Sequence, residues 1–231
     1  MISVFEYIKY IYMKTKVALT ALMSILLTNL NADQHTFAGD VDVQYTSEYH
    51  RRGAIVSQEA LQTSVGVTVG VAGTNIFGDI FSSSSLDTGS DSLEGTLGAN
   101  FGLPGKLDLY AGLYNSNIDA SGTTLEGFVG IKADLLLQPT FIVYRDVSDD
   151  LYTFEGQLSH TIDLKACELQ LTGIAGSTDV TIADDVTYYA GVVKLTKSIR
   201  DNVDIYADTV FSDTDDRDQE WIWGAGLSVK F

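Results

Sequence analysis

Three histidines are the imidazole groups available for acid–base or metal chemistry: His35, His50 and His160. His160 follows Ser159, but adjacent residues of a strand point to opposite faces, so these two side chains cannot pair as base and nucleophile. The sequence also contains no Gly-x-Ser-x-Gly elbow and no Gly-x-x-x-x-Gly-Lys loop. We therefore expect no catalytic residue, no bound cofactor and no enzyme activity.

Two charged clusters could bind an ion. The acidic run at residues 213–218 with Glu220 offers oxygen ligands, but it lacks the sixth-position glycine and the spacing of a calcium loop. A solvated loop is the simpler interpretation, and no metal site is predicted. His50, Arg51 and Arg52 could contact an anionic ligand or a lipopolysaccharide phosphate through forked donors. The alternative is a loop that neighbouring acidic residues hold in place.

These residues stand among about a dozen short runs in which apolar and polar side chains alternate with a period of two. We predict strands at residues 38–49, 60–72, 75–82, 92–101, 106–115, 123–133, 139–147, 151–163, 166–176, 186–197, 203–212 and 220–231. The odd-numbered connections are polar and mostly longer, as at residues 82–91, 115–122, 177–185 and 213–218. Short turns at one end and polar loops at the other are typical of an up-and-down barrel.

The two faces of the seven most regular runs differ in charge. One face, which includes Tyr49, Leu97 and Trp223, carries no Asp, Glu, Lys or Arg. The interleaved positions hold nine charges: Asp40, Asp42, Glu48, Glu94, Asp108, Glu155, Asp204, Asp208 and Lys230. A bilayer enforces such segregation, because Lys or Arg facing lipid at mid-depth costs about 2–4 kcal/mol. We predict an all-β fold, an up-and-down antiparallel transmembrane β-barrel of about 12 strands, with a soluble antiparallel sandwich as the alternative.

The charged face would line the interior of such a barrel. The candidate lumen-lining residues are Asp42, Glu94, Asp108, Glu155, Asp204, Asp208 and Lys230. Rings of carboxylates favour cations in other pores, so we expect cation selectivity if the lumen is open. In the alternative, these carboxylates meet Lys106, Lys132, Arg145 and Lys194 in a packed interior that leaves no passage.

Residues 1–32 have the pattern of a signal peptide preceded by an upstream extension. A basic start at Met13 leads into 14 mostly apolar residues from Val17 to Leu30, which at ~1.5 Å each are too short to span a bilayer as a helix. We expect cleavage after Ala32, which leaves residues 33–231 as the exported barrel domain. The formal net charge of −17 argues against nucleic acid as a partner.

The last strand, from Trp221 to Phe231, has apolar residues at every second position and ends on phenylalanine. It resembles the C-terminal signature of bacterial outer-membrane proteins. The resemblance implies a Gram-negative outer membrane as the location, with its lipid and lipopolysaccharide as surroundings. It also implies that the barrel-assembly machinery reads Phe231 as an assembly signal.

The stretch from Thr46 to Gly53 resembles the first strand and loop of porins of the TorF type, which carry a similar Tyr-x-x-Arg-Gly pattern. Tyr49, Arg52 and Gly53 fit that spacing, whereas His50 and Arg51 stand where that family usually has apolar or aromatic residues. The resemblance implies a porin-like channel for passive diffusion of small solutes, and we expect a monomer. The alternatives are a barrel without a pore that serves surface interaction or envelope integrity, and a secreted β-sandwich that binds glycan.

Overall fold

The computed structural model describes residues 35–52, 54–71, 73–119, 122–179, 186–215 and 217–231. The predicted signal peptide, residues 1–32, lies outside the described residues. In the described ranges there is no helix long and apolar enough to cross a membrane.

Twelve antiparallel strands form one closed barrel. They are β1 (His35–Arg51), β2 (Ala54–Val71), β3 (Thr74–Ser85), β4 (Ser92–Leu103), β5 (Leu107–Ile118), β6 (Gly122–Ala133), β7 (Thr140–Asp146), β8 (Tyr152–Asp163), β9 (Glu168–Thr178), β10 (Val186–Arg200), β11 (Val203–Thr214) and β12 (Arg217–Lys230). Each strand pairs with its neighbours in sequence, and β1 pairs with β12 to close the ring. The prediction of an up-and-down barrel of about 12 strands is confirmed.

Short connections join the strands at both ends of the barrel. At one end, here called the loop end, the strand bounds leave residues 52–53, 86–91, 119–121, 147–151, 179–185 and 215–216. At the other, the turn end, they leave residues 72–73, 104–106, 134–139, 164–167 and 201–202. The sequence predicts clearly longer connections at the loop end, but the observed difference between the two ends is small. The reason is that β3 continues to Ser85 and β5 to Ile118, beyond their predicted ends. Polar residues form the backbone hydrogen bonds of a strand as readily as apolar residues do. The polar composition of these segments therefore did not indicate that they belong to strands.

The outside of the barrel is apolar and the inside is polar. Leu97 is 61% exposed and Trp223 56%, whereas Glu94 is 8% exposed and Ser116 is fully buried. A protein in water has the opposite distribution, since burial of apolar surface is what stabilises it. This inverted surface is typical of a barrel surrounded by lipid, and the closed ring excludes the sandwich alternative.

Aromatic rings inside the barrel lie flat over glycines of the neighbouring strand. Five inward glycines each have a ring in the space that a Cβ would take: Gly98 under Phe77, Gly112 under Phe128, Gly130 under Tyr110, Gly176 under Tyr188, and Gly226 under Tyr206. Because glycine has no side chain, the aromatic ring can lie against the barrel wall. There it covers the backbone of the glycine, which would otherwise be exposed to the interior. Two of these tyrosines, Tyr188 and Tyr206, donate their hydroxyls to interior carboxylates.

We expect Gly130→Ala to destabilise the barrel by about 1–3 kcal/mol, because overpacking forces side chains and backbone apart. A Cβ on Gly130 would lie about 2.5 Å from the Tyr110 ring. Gly127 on the same strand has open space around its Cβ position, so Gly127→Ala is the matched control. Urea unfolding of the refolded barrel, followed by tryptophan fluorescence, measures both variants. Equal midpoints would show that the ring does not depend on the glycine.

Candidate functional site

The end of β1 turns from the barrel wall into the interior. Its register with β12 ends at the pair Thr46 and Gly224, and the next backbone N–H, that of Trp223, donates to Ser47 Oγ at 3.0 Å. Beyond this point the Tyr49 hydroxyl donates to Glu94 on β4, and its ring packs on Phe81 of β3 with centroids 5.4 Å apart. The sequence-based assignment of Tyr49 to the apolar outer face is therefore wrong. The regular pairing with β12 ends before Tyr49, so the segment leaves the wall and both of its faces meet interior side chains.

Arg52, at the tip of the hairpin between β1 and β2, reaches the opposite wall. Its guanidinium forms a two-pronged hydrogen bond with Glu126 of β6, at 2.6 and 2.7 Å, and donates to Thr153 Oγ1 of β8 at 3.5 Å. It also lies 4.3 Å from the ring centroid of Tyr144 on β7. In a ring of twelve strands, β7 is six places from β1 in either direction. The hairpin tip therefore crosses the barrel interior.

Arg51 joins the same contacts. Its guanidinium lies 3.9 Å from Glu126 Oε2 and 5.1 Å from the ring centroid of Tyr114. Two guanidinium groups thus share one buried carboxylate between tyrosine rings, a geometry that suits the planar fork of arginine. Burial acts to lower the pKa of Arg52, but its hydrogen bonds to Glu126 and the charge of that carboxylate outweigh burial and raise it above the ordinary value. Arg52 is therefore charged at neutral pH.

The β2 arm of the hairpin is attached to the connection between β3 and β4. The Gln58 N–H donates to the Thr88 carbonyl at 2.9 Å, and the Leu86 N–H donates to the Glu59 carbonyl at 2.7 Å. β2 consequently starts at Ala54, six residues before the predicted position. We call residues 47–52 and 54–60 the interior hairpin. Its tip is held by side chains of β6, β7 and β8, and its β2 arm by the connection between β3 and β4.

Three of the predicted lumen residues lie near the β1–β12 seam, together with Lys230. Asp42 accepts a hydrogen bond from the Tyr206 hydroxyl at 2.5 Å. Asp208 accepts two from the Gln44 amide, at 2.9 and 3.1 Å. Lys230 forms an ion pair with Asp204 at 2.7 Å.

The other three predicted lumen residues lie on the wall from β4 to β8. Glu94 accepts hydrogen bonds from Tyr49 and Tyr114. Glu155 accepts one from the Tyr188 hydroxyl at 2.7 Å, and Asp108 stands opposite Lys132 in the register of β5 and β6.

The basic residues expected to meet these carboxylates divide into two groups. Lys194 faces the interior, with its ammonium 3.6 Å from the Tyr206 ring centroid, and Lys132 shares the face of Asp108. Lys106 pairs instead with Asp134 in an exposed turn. Arg145 pairs with exposed Asp150. For Lys106 and Arg145 the packed-interior alternative is wrong, because Lys106 lies in a connection and Arg145 on the outward face of β7.

Several interior residues were missed by the sequence analysis. Glu126 and Asp146 are buried, and Asp79 shares their inward orientation. They lie on β3, β6 and β7, whose faces were not assigned from the sequence. Once the registers of these strands are known, the same alternation identifies all three residues. The pairing of Glu126 with Arg52 had no local signal.

A cavity of about 620 Å³ occupies the turn-end side of the interior. Asp40, Asp42, Gln44, Lys194 and Lys230 are among its lining residues. Phe231 also borders this cavity. Its backbone exchanges two hydrogen bonds of 2.9 Å with Gly39, and its ring lies 6.1 Å from that of Phe37. The terminal residue thus belongs to the seam between β1 and β12, and its role as an assembly signal stays a prediction.

The predicted anion-contact residues are occupied by carboxylates of the chain itself. Arg51 and Arg52 meet Glu126, and His50 Nε2 lies 2.9 Å from Glu48 and 3.2 Å from Glu220. These contacts agree with the alternative of a loop held by acidic residues. The acidic run at residues 213–220 lies at the tight connection of β11 and β12, where Gln219 donates to Asp213 at 3.3 Å.

Comparisons with known proteins identify the fold. No family model matches the chain, and no curated protein matches its sequence. Among solved structures, the KdgM porin has a TM-score of 0.57 at 12% identity over 83% of this chain and 99% of that chain. The NanC porin has a TM-score of 0.57 at 16% identity over 84% of this chain and 100% of that chain. An outer membrane channel from Pseudomonas putida F1 has a TM-score of 0.54 at 12% identity over 88% of this chain and 100% of that chain. The chain has the fold of outer-membrane porins.

Proposed function

We propose that this protein is an outer-membrane channel for passive diffusion of small solutes, with a preference for cations. The observation that carries the proposal is a closed barrel with a polar, mainly acidic interior and one hairpin across it. Among the described residues, the inward carboxylates include Asp40, Asp42, Asp79, Glu94, Asp108, Glu126, Asp146, Glu155, Asp204 and Asp208, and the inward cations include Arg51, Arg52, Lys132, Lys194 and Lys230. An excess of carboxylates lowers the energy of a cation in a narrow aqueous passage.

The acidic interior of this barrel argues against the solute bound by one fold neighbour. The KdgM porin has been solved in complex with oligogalacturonate, which is a polyanion. A passage lined by paired acids such as Asp42 and Asp208 repels a polyanion, so the shared fold does not extend to the same solute. We propose small cationic or neutral solutes for this chain.

The interior hairpin is the constriction in this proposal. Its tip carries two positive charges to Glu126 on the far wall, whereas the turn-end cavity near Asp42 is acidic. A solute crossing the barrel therefore meets both signs of charge in sequence. Release of the tip from Glu126 would widen the passage, since the hairpin is attached there by side chains alone among its described contacts.

We propose that the chain is exported through residues 1–32 and inserted by the barrel-assembly machinery, with lipid and lipopolysaccharide around a monomer. The pairing of Phe231 with Gly39 supports a role for the last residue in closing the barrel. Membership of the TorF-type porins is also proposed, and it rests on the Tyr-x-x-Arg-Gly spacing of Tyr49, Arg52 and Gly53.

The outer-membrane location has a direct test. We expect the expressed protein in the outer-membrane fraction, with faster migration on a gel before boiling than after, because closed barrels resist detergent until heated. Fractionation and a heat-modifiability gel measure both properties. Recovery from the periplasm or the medium without detergent would refute the location.

Charge selectivity tests the proposed solute class. We expect wild-type channels to prefer cations, and Asp42→Asn with Asp208→Asn to reduce that preference, because two carboxylates near the cavity are neutralised. Reversal potentials across a salt gradient in planar bilayers measure the permeability ratio. Asp150→Asn, at an exposed position outside the barrel, is the control and should leave the ratio unchanged. Anion preference in the wild type would overturn the assignment.

The constriction has a test of its own. We expect Arg52→Ala to increase single-channel conductance, because removal of one partner of a buried ion pair costs about 3–5 kcal/mol and frees the hairpin tip. Glu126→Gln should act in the same direction. Arg145→Ala, which breaks the exposed pair with Asp150, is the matched control and should leave conductance unchanged.

A barrel without a pore is the second candidate, and the hairpin that crosses the interior favours it. In that case neither Arg52→Ala nor Glu126→Gln produces channels, although both variants fold. The protein would then act through its loops in surface interaction or envelope integrity.

A further inference from the structure

We propose that Glu48, His50 and Glu220 form a binding site for a divalent transition-metal ion, with Zn²⁺ as the reference ion. One ligand atom from each residue lies within 4.8 Å of the other two. The three residues come from the two strands that close the barrel, Glu48 and His50 from β1 and Glu220 from β12. The site lies at the base of the interior hairpin, and the proposal stands whether or not the barrel conducts.

The local backbone explains why these side chains meet. Regular pairing of β1 with β12 ends at Thr46 and Gly224, so the segment beyond it is free to leave the wall. Glu48 and His50 are two positions apart, which places both side chains on one face of an extended segment. Glu220 occupies the facing position near the start of β12. The site therefore spans the seam at the base of the interior hairpin.

The distances fit a shared ion. His50 Nε2 lies 2.9 Å from Glu48 Oε2 and 3.2 Å from Glu220 Oε2. Zinc bonds to nitrogen and oxygen of about 2.1 Å in tetrahedral geometry place neighbouring ligand atoms about 3.4 Å apart. Small side-chain adjustments are sufficient to bring the three atoms to that spacing.

The electrostatics favour a divalent cation at this position. Both carboxylates converge on the same imidazole nitrogen, and a single N–H can be directed at only one of them. The side chains of His50 and Glu48 are 11% and 19% exposed, so water compensates little of the repulsion between the two carboxylates. Arg51 is turned to Glu126 and Tyr114 and does not supply the missing charge. A divalent ion would neutralise both carboxylates at once.

The ligand set indicates the class of ion. Imidazole nitrogen suits zinc, copper, nickel and iron, whereas calcium and magnesium select oxygen ligands alone. Glu220 is 34% exposed, which leaves access for the ion and space for water to complete its coordination. Three protein ligands with an open position are a common zinc arrangement. A bound ion would join β1 to β12 where backbone hydrogen bonding has ended.

The test uses untagged protein folded in detergent micelles and stripped with chelator. The background variant His35→Ala/His160→Ala/Cys167→Ser removes the other histidines and the single cysteine, so His50 is its last imidazole. Isothermal titration with ZnCl₂ should give one site in the wild type and in this background. His50→Ala or Glu220→Gln, added to the background, should weaken binding at least tenfold. MgCl₂ should bind far more weakly than ZnCl₂.

A second measurement keeps the proposal testable if His50→Ala folds poorly. Zinc should raise the urea midpoint of the background variant, because the ion binds the folded state alone, and Glu220→Gln should remove the rise. Zinc binding that survives both substitutions, or equal binding of magnesium, would overturn the site. So would absence of binding to the folded wild type, which would leave His50 as an ion-pair partner of two carboxylates.

Discussion

The pairing of β1 with β12 is the constraint on which the rest of this structure depends. Within a bilayer every backbone N–H and C=O must find a partner in the protein, so an open sheet edge is not tolerated. The pairs from Asp40 with Lys230 to Thr46 with Gly224 satisfy both edges at once. Closure then divides every strand into an outward and an inward row, and this division decides which side chains can meet.

The interior that closure creates is small and charged, and its geometry depends on glycines. Glycines such as Gly130 and Gly176 let tyrosine rings lie on the wall, and the hydroxyls of interior tyrosines meet carboxylates such as Glu155. A charge away from water is stable only with partners, so these networks keep an acidic interior compatible with a folded barrel. The same networks bound the space that the interior hairpin enters.

The regular pairing of β1 with β12 ends before the end of β1. Past Thr46 the chain is no longer paired in regular register with β12, and Tyr49 points inward where a residue of the wall at that position would point outward. From there Arg52 reaches Glu126, which lies 74 positions further along the chain. His50 contacts Glu220, which lies near the other end of the sequence. One irregularity thus generates both the proposed constriction and the proposed metal site. The described part of the stretch that resembles TorF-type porins, Thr46 to Arg52, leads into this same hairpin.

The sequence by itself determined the twelve strands, their up-and-down order and the inward row that holds Asp42, Glu94 and Asp208, because a period of two is a local property that each strand carries alone. Tertiary structure decided the reversal at Tyr49 and the contacts of Glu126 and Glu220 with the first hairpin. Those contacts require strands distant in sequence to stand across a closed ring. Local alternation indicates on which face of its strand a residue lies. Ring closure and register determine which side chains of distant strands come close together.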